Sequence, residues 1–221
     1  MKGIFVTGSD TNVGKTYISC QIASALKQKN INVLPRKPVE SGCELVKGVL
    51  LPEDANFLLN ASQTSSSLEE VCPYRFAQAI SPSVAAKLSG ESLSLEQLKS
   101  ACLNNISDND FLLVEGAGGF YSPICEDALN ADLANELKLP VILVTEDRVG
   151  AVNQVLLTIN AIETYKLNLL AIVLSSPTIA PLNKHANNLS ELSHLTNHPV
   201  FSVSYNQPIP VELTEVLASL T

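Results

Sequence analysis

Short apolar runs alternate along this chain with longer segments in which apolar residues recur at helical spacing. The runs 111–114 and 141–144 are apolar at consecutive positions, a pattern typical of strands that are covered on both faces. The pattern predicts strands at 3–7, 32–35, 111–115, 140–145, 169–175 and 199–203. It predicts helices at 15–29, 81–88, 95–104, 128–137, 151–166, 183–195 and 211–220.

This alternation predicts one α/β domain over residues 1–221, built as a doubly wound parallel sheet flanked by helices. Neither an internal repeat nor a Gly- or Pro-rich linker divides the sequence. In such folds, ligands bind outside the carboxyl ends of the strands. We therefore expect the chemistry of this protein in the residues that directly follow each strand.

The segment from Gly8 to Thr16 has the order of a nucleotide phosphate loop: a strand, a Gly-bounded loop, Lys-Thr and a helix. Loop N–H groups and the helix N-terminus would face phosphate oxygens. Lys15 would reach the β- and γ-phosphates, and the Thr16 hydroxyl would ligate Mg²⁺. Gly8 lies one residue earlier than in the strict pattern, and Ser9 occupies the position expected for glycine. The flanking strand and helix favour a P-loop NTPase over an accidental Gly/Thr turn.

Two further strand ends carry charged residues. Lys37 opens the run K-P-V-E-S-G at 37–42, and Glu115 lies in the run V-E-G-A-G-G at 114–119. An acid that follows a buried strand at the phosphate edge suits Mg²⁺, which prefers oxygen ligands. Asp54 is either a second ligand at this edge or an ordinary first-turn acid of a helix. Lys37 is either a functional cation or a solvated surface lysine.

Composition narrows the function classes. With 46% hydrophobic and 16% charged residues, the chain is expected to have a well-buried interior. A net charge of −8 argues against a nucleic-acid partner. Apolar stretches fall short of the ~20 residues of a membrane span, so we expect no membrane segment. The start of the chain leads directly into a predicted strand, so we expect no signal peptide. The 5 cysteines lack C-x-x-C pairs and are predicted to be reduced, as in a cytoplasmic protein.

Taken together, the runs 8–16, 37–42 and 114–119, with Asp54, closely resemble the dethiobiotin synthetase family of the biotin pathway. The resemblance extends from the first strand to about Asn153. Many nucleotide-binding proteins share the phosphate loop, whereas its combination with K-P-V-x-S-G and V-E-G-A-G-G is selective. The resemblance implies an ATP-dependent ring closure of 7,8-diaminononanoate with CO₂ or bicarbonate. The products would be dethiobiotin, ADP and phosphate, formed through a carbamate and its mixed anhydride with phosphate.

The resemblance also implies roles for individual residues. The catalytic residues would be Lys37, Lys15 and Thr11. The substrate would be bound by Ser41, Gly150 and Asn153, of which the last two act across a two-fold homodimer interface. The Mg²⁺ ligands would be Thr16, Asp54 and Glu115. The nucleotide would be bound by Asn12, Val13, Gly14, Lys15, Thr16, Tyr17, Asp54, Glu115, Gly116, Ala117, Gly118, Ser175 and Ser176.

The sequence departs from this family where the nucleobase would bind. Family members often carry Asn-Asp after the sixth strand, where this chain has Ser175, Ser176 and Pro177. The stretch S-V-S-Y-N at 202–206 replaces a Gly-x-Ile/Leu-Pro segment that usually lines the base. We therefore expect weak recognition of adenine.

Two other readings stay open from the sequence. One is an amide synthase domain lacking its glutaminase, although such proteins normally carry a second domain with a catalytic cysteine. The other is a nucleotide-switch ATPase of the partitioning type. Those proteins typically have an additional lysine early in the phosphate loop, where this chain has Ser9 or Asp10.

Overall fold

The computed structural model describes residues 1–176 and 187–220. Its strands are β1 (Lys2–Gly8), β2 (Asn32–Arg36), β3 (Val39–Ser41), β4 (Glu44–Val46), β5 (Val49–Leu51), β6 (Tyr74–Phe76), β7 (Asp110–Gly119), β8 (Val141–Glu146), β9 (Leu169–Ser175) and β10 (Val200–Val203). Its helices are α1 (Lys15–Gln28), α2 (Glu53–Ser62), α3 (Leu68–Val71), α4 (Pro82–Leu88), α5 (Leu95–Leu103), α6 (Asn130–Leu137), α7 (Ala151–Thr164), α8 (Asn188–Leu195) and α9 (Val211–Ala218).

Six strands form the central sheet in the order β10-β9-β8-β1-β7-β2, and every neighbouring pair is parallel. Strand β1 lies in the middle, where Phe5 pairs with Val114 on one side and with Val141 on the other. Two apolar cores cover the two faces of this sheet. One contains Ile22 of α1, and the other contains Leu133 of α6. The predicted doubly wound α/β fold is confirmed.

The predicted elements are present with shifted ends. Strand β7 continues past 115 to Gly119, because its last residue pairs with Gly8 after an irregularity in the ladder. The helix predicted at 128–137 begins at Asn130. The N–H of Leu129, the residue just before the helix, donates to the side chain of Asp132 in its first turn, and this contact defines the start of the helix. Of the helix predicted at 183–195, residues 183–186 lie outside the described residues, and α8 begins at Asn188.

Several short elements were not predicted: β3 with its partner β6, the β4–β5 hairpin, and helix α3. Helix α2 was considered only as a helix with Asp54 in its first turn, and it begins at Glu53. These elements lie between β2 and α4 and position the residues that follow Lys37. None of the described helices is both long and apolar enough to cross a bilayer. All 5 cysteines are free thiols, as predicted.

Candidate active site

The loop between β1 and α1 folds back over the end of β1. A Cβ atom on Gly8 would lie 2.7 Å from the Asp10 carbonyl oxygen and 3.1 Å from Lys15 Nζ, so this position requires glycine. Ser9, where the strict pattern has glycine, ties the loop to β8 through a 2.8 Å hydrogen bond from its hydroxyl to Thr145 Oγ1. The local geometry thus accounts for both departures from the strict pattern.

Gly14 closes this loop in the left-handed conformation, with φ of 93°, directly before α1. A Cβ atom here would lie 2.5 Å from Ser175 Oγ, so the end of β9 packs against the loop. Helix α1 begins at the next residue, and its first N–H groups carry the partial positive charge that suits an anion. The loop therefore has the architecture of a phosphate site.

Lys15 lies folded over this loop. Its ammonium donates to the Asp10 carbonyl oxygen at 3.1 Å, and the residue is only 6% exposed. Burial, and then the positive charge of Lys37, lowers the pKa of Lys15 to about 8. A negatively charged ligand in the loop would favour the ammonium form.

Lys37 is buried between two carboxylates. Its ammonium donates to Glu115 Oε1 at 2.6 Å and to Asp54 Oδ2 at 3.0 Å. Burial lowers the pKa of Lys37, but the two carboxylates more than offset this effect, so the pKa is raised overall. Of the two alternatives for this residue, the solvated surface lysine is wrong.

Glu115, on β7, faces the start of α1. The Thr16 hydroxyl donates to its Oε1 at 2.9 Å, whereas its Oε2 is buried with no hydrogen-bond partner among the described residues. Asp54 completes the group, with 39% of its side chain exposed. Two carboxylates, one of them with an unpartnered oxygen, and a hydroxyl form the hard-oxygen set that Mg²⁺ prefers. The residues present therefore fit a magnesium ion.

The glycine-rich end of β7 is shaped by a residue that the sequence analysis did not identify. Asn130, fully buried at the start of α6, donates to the carbonyl oxygens of Ala117 and Gly119. Its own oxygen accepts from the Ala117 N–H at 3.2 Å. The available signal in the sequence was an asparagine near the start of a predicted helix. The sequence does not show, however, which segment this side chain contacts.

Two adjoining cavities lie at this edge of the sheet. One, of about 260 Å³, is lined by Thr11, Asn12, Gly14, Lys15, Thr16, Tyr17, Lys37 and Asp54. The other, of about 430 Å³, is lined by Thr11, Asn12, Ser41, Ala79, Ile80, Ser81, Pro82, Ala117, Gly118, Ser122 and Pro123. Because Thr11 and Asn12 line both, the two spaces share a wall. The segment 79–82 was not predicted as part of the site.

Several other predicted site residues line neither cavity. Val13 is buried in the core below the loop, and Gly116 is buried with its carbonyl oxygen 3.4 Å from Lys37 Nζ. The hydroxyl oxygens of Ser175 and Ser176 are buried, and Pro177 lies outside the described residues.

Gly150 and Asn153 are exposed at the start of α7 and line neither cavity. A 3.5 Å hydrogen bond from Gln154 to Asp10 links this helix start to the phosphate loop. The structure therefore does not bring these two residues together with the other predicted substrate-binding residue, Ser41.

Comparisons with known proteins agree with this architecture. A family described as an AAA domain matches residues 2–210. The ATP-dependent dethiobiotin synthetase of Vesicomyosocius okutanii is 41% identical over 207 residues, which cover 94% of this chain and 91% of that protein. The synthetase of Clostridium botulinum strain Eklund 17B is 32% identical over 219 residues, covering 97% and 96%. The chain belongs to the dethiobiotin synthetase family.

Solved structures outside this family share its fold. A ParA family ATPase from Chlorobium tepidum superposes with a TM-score of 0.56 at 13% identity, covering 99% of this chain and 89% of that one. The septum site-determining protein MinD from Pyrococcus horikoshii, complexed with Mg-ADP, gives 0.55 at 16% identity, covering 100% and 86%. At such identities the likeness shows the fold alone. The dethiobiotin synthetase relatives, by contrast, are 41% and 32% identical over nearly the whole chain.

Proposed function

We propose that this protein joins CO₂ to 7,8-diaminononanoate with consumption of ATP, forming dethiobiotin, ADP and phosphate. The observation that carries the proposal is the shared wall of the two cavities. One cavity contains the phosphate loop with Lys15 and Lys37, and the other is large enough for a second substrate. Phosphoryl transfer between adjoining sites needs positioning and charge neutralisation more than a protein nucleophile.

The proposed reaction has three steps. One substrate amine attacks CO₂ and loses a proton, which gives a carbamate. A carbamate oxygen then attacks the γ-phosphorus of ATP, and ADP leaves. Finally the second amine attacks the carbonyl carbon, and phosphate leaves as the cyclic urea closes. Thr11 and Ser41, on the walls of the larger cavity, would hydrogen-bond the carbamate oxygens.

The two lysines would stabilise charge that develops during phosphoryl transfer. Lys15 lies over the phosphate loop, and both Lys15 and Lys37 line the smaller cavity. Thr16, Asp54 and Glu115 would hold Mg²⁺, which when bound would neutralise phosphate charge. Lys37 contacts both carboxylates of this set. When the substrates bind, its ammonium would leave these carboxylates and contact phosphate oxygens instead.

The proposal includes a homodimer in the cytoplasm. Helix α7 presents an exposed face with Asn153 and Leu157 on adjacent turns, and Val149 before the helix is 74% exposed. Leu157 is 63% exposed, and such apolar exposure favours an interface. Gly150 and Asn153 would then complete the substrate site of the other subunit. The dimer follows the family expectation and is tested separately below.

The decisive experiment measures phosphate release and product together. With ATP, Mg²⁺, ¹³C-bicarbonate and the diamine, we expect phosphate and ¹³C-labelled dethiobiotin in equal amounts. Omitting either bicarbonate or the diamine should abolish both. Phosphate release that is unaffected by these omissions would instead favour a nucleotide-switch ATPase.

A further inference from the structure

Glu40 occupies the variable position of the K-P-V-x-S-G run, on β3. The residue is 7% exposed, and both of its carboxylate oxygens have main-chain partners. Oε1 accepts from the Asp54 N–H and Oε2 from the Ala55 N–H, each at 3.0 Å. A buried carboxylate is costly unless it is hydrogen-bonded. The first turn of α2 supplies these bonds to Glu40.

Helix α2 has no cap from its own sequence. The residue before it is Pro52, which offers no side-chain hydrogen bond, whereas α3 and α5 are capped by Ser67 and Ser94. The first N–H groups of a helix lack partners within the helix. Glu40 satisfies two of them from a separate element. The start of α2 is thus fixed relative to β3.

This contact determines where Asp54 lies. Its N–H is bound by Glu40, and its carboxylate lies 3.0 Å from Lys37 Nζ. Lys37 itself precedes Glu40 by three residues in the same segment. The three residues therefore form a closed set of contacts, in which Glu40 holds the backbone of Asp54 and Lys37 holds its side chain.

We propose that Glu40 is a positioning residue for the metal side of the site, acting through Asp54. The inference rests on the proposed function, in which Asp54 is a Mg²⁺ ligand. Removal of a group that orients a metal ligand typically costs about 10- to 100-fold in metal affinity. Loss of Glu40 would leave the first N–H groups of α2 without these partners, and the link between Asp54 and β3 would be lost.

The test measures Mn²⁺ binding to the complex of the protein with ADP by electron paramagnetic resonance, so it does not depend on turnover. Glu40→Ala should weaken Mn²⁺ binding about tenfold. Ser94→Ala removes the cap of α5, away from the site, and should leave Mn²⁺ binding unchanged while lowering the unfolding temperature. In an Asp54→Asn background, Glu40→Ala should have no further effect, because the two residues act in series.

The outcomes separate this inference from the proposed function. If Asp54→Asn weakens Mn²⁺ binding but Glu40→Ala changes it less than about twofold, Glu40 is only a structural cap and the inference is wrong. If Asp54→Asn has no effect, Asp54 is not a ligand, and both the metal assignment and the role of Glu40 fail. Dethiobiotin formation by the unmodified protein decides the activity independently.

A second variant covers the case in which Glu40→Ala does not fold. Glu40→Gln retains one acceptor, but its NH₂ group faces an N–H of α2. It should therefore weaken Mn²⁺ binding less than Glu40→Ala, by about threefold. In turnover assays, either variant should raise the Mg²⁺ concentration for half-maximal rate more than it lowers kcat at saturating Mg²⁺. A Glu40→Gln protein that matches the unmodified chain in both measurements would overturn the inference.

Discussion

The Lys37 ammonium lies 2.6 Å from Oε1 of Glu115, a carboxylate with no exposed surface. The same ammonium lies 3.0 Å from Asp54 Oδ2. One lysine therefore bridges the two carboxylates that we propose as metal ligands. Since an ammonium and a divalent cation would compete for the same oxygens, binding of Mg²⁺ and ATP should shift Lys37 from the carboxylates toward phosphate.

We expect Lys37→Ala to lower kcat by at least about 10²-fold, because the lysine would neutralise charge that develops on the transferred phosphoryl group. The substitution should also lower the free energy of unfolding by about 3 kcal/mol, because it leaves buried Glu115 without its cation. Steady-state kinetics and chemical unfolding measure the two effects separately.

Lys99→Ala is the matched control for this variant. Lys99 forms an ion pair with Glu136 at 2.8 Å on the surface, and such solvent-screened pairs contribute little to stability. This variant should change neither kcat nor stability appreciably. A Lys37→Ala protein that retains more than about a third of the original kcat would remove Lys37 from the catalytic site.

Glu115→Gln should raise the Mg²⁺ concentration needed for half-maximal turnover, without loss of the fold. Glutamine keeps the shape and one acceptor oxygen for Thr16 and Lys37, but it removes the charge that a hard cation requires. A Mg²⁺ titration of activity measures the shift, with Glu136→Gln as a surface control. Titration curves that coincide for Glu115→Gln and the unmodified protein would contradict the metal assignment.

The sequence predicted the central sheet well because its strands are continuously apolar. The run 111–114 is apolar at every position, so both of its faces must be buried. This alone identifies it as a strand of a parallel sheet flanked by helices, even before its neighbouring strands are known. The strands β3 and β6 were missed because three residues give too little periodicity, and β6 follows β3 by more than thirty residues. Their pairing is a tertiary contact that no local pattern encodes.

Lys15 and Lys37 could be identified as candidate site residues because each lies in the segment that follows a predicted strand. The sequence does not show which way a residue faces, however. Ser175 occupies the position at which the resemblance places nucleobase binding, yet it packs beneath Gly14 in the phosphate loop. Glu40 occupies the variable position of the K-P-V-x-S-G run. Its hydrogen bonds to the start of α2 become visible only in the folded structure.

Nucleotide binding should take up protons near pH 8. The pKa of Lys15 is lowered to about 8, so about half of the molecules carry the neutral amine at that pH. Phosphate oxygens favour the ammonium and raise this pKa, so binding at pH 8 should take up about half a proton per site. Calorimetric titrations in buffers of different ionisation enthalpy measure this number. Uptake should fall toward zero near pH 7, and an enthalpy independent of buffer at pH 8 would contradict the prediction.

The same pKa predicts the sign of a stability effect in the nucleotide-free protein. Because the pKa of Lys15 is about 8 in the folded chain and 10.5 by reference, the unfolded chain binds more protons between these values. The ammonium therefore destabilises the fold below pH 8, and stability recovers as pH rises from 8 to 10.5. Lys15→Met should be more stable than the unmodified protein at pH 7, and the difference should shrink toward pH 10. Denaturant unfolding at several pH values measures it.

Mixed dimers test whether α7 completes the site of a partner subunit. Lys37→Ala and Asn153→Ala chains should each be inactive, but one of the two sites in their hybrid combines an intact Lys37 with an intact Asn153. Partial activity should return after subunit exchange. The control is a mixture of Lys37→Ala with Lys15→Ala, in which every site lacks one lysine and no activity should return. Equal behaviour of the two mixtures after verified exchange would argue against shared sites.

The nucleobase should contribute little to specificity. Sites that hydrogen-bond a base with buried polar groups reject other bases strongly, because mismatched groups are left unpaired. Here the hydroxyl oxygens of Ser175 and Ser176 are buried, and the first faces the phosphate loop at Gly14. Binding energy should therefore come mainly from the triphosphate and Mg²⁺. We expect ATP, GTP and CTP to support turnover with kcat/KM values within about 30-fold of one another at saturating diamine. A preference for ATP above about a thousandfold would mean that other groups, such as the backbone at 202–206, read adenine.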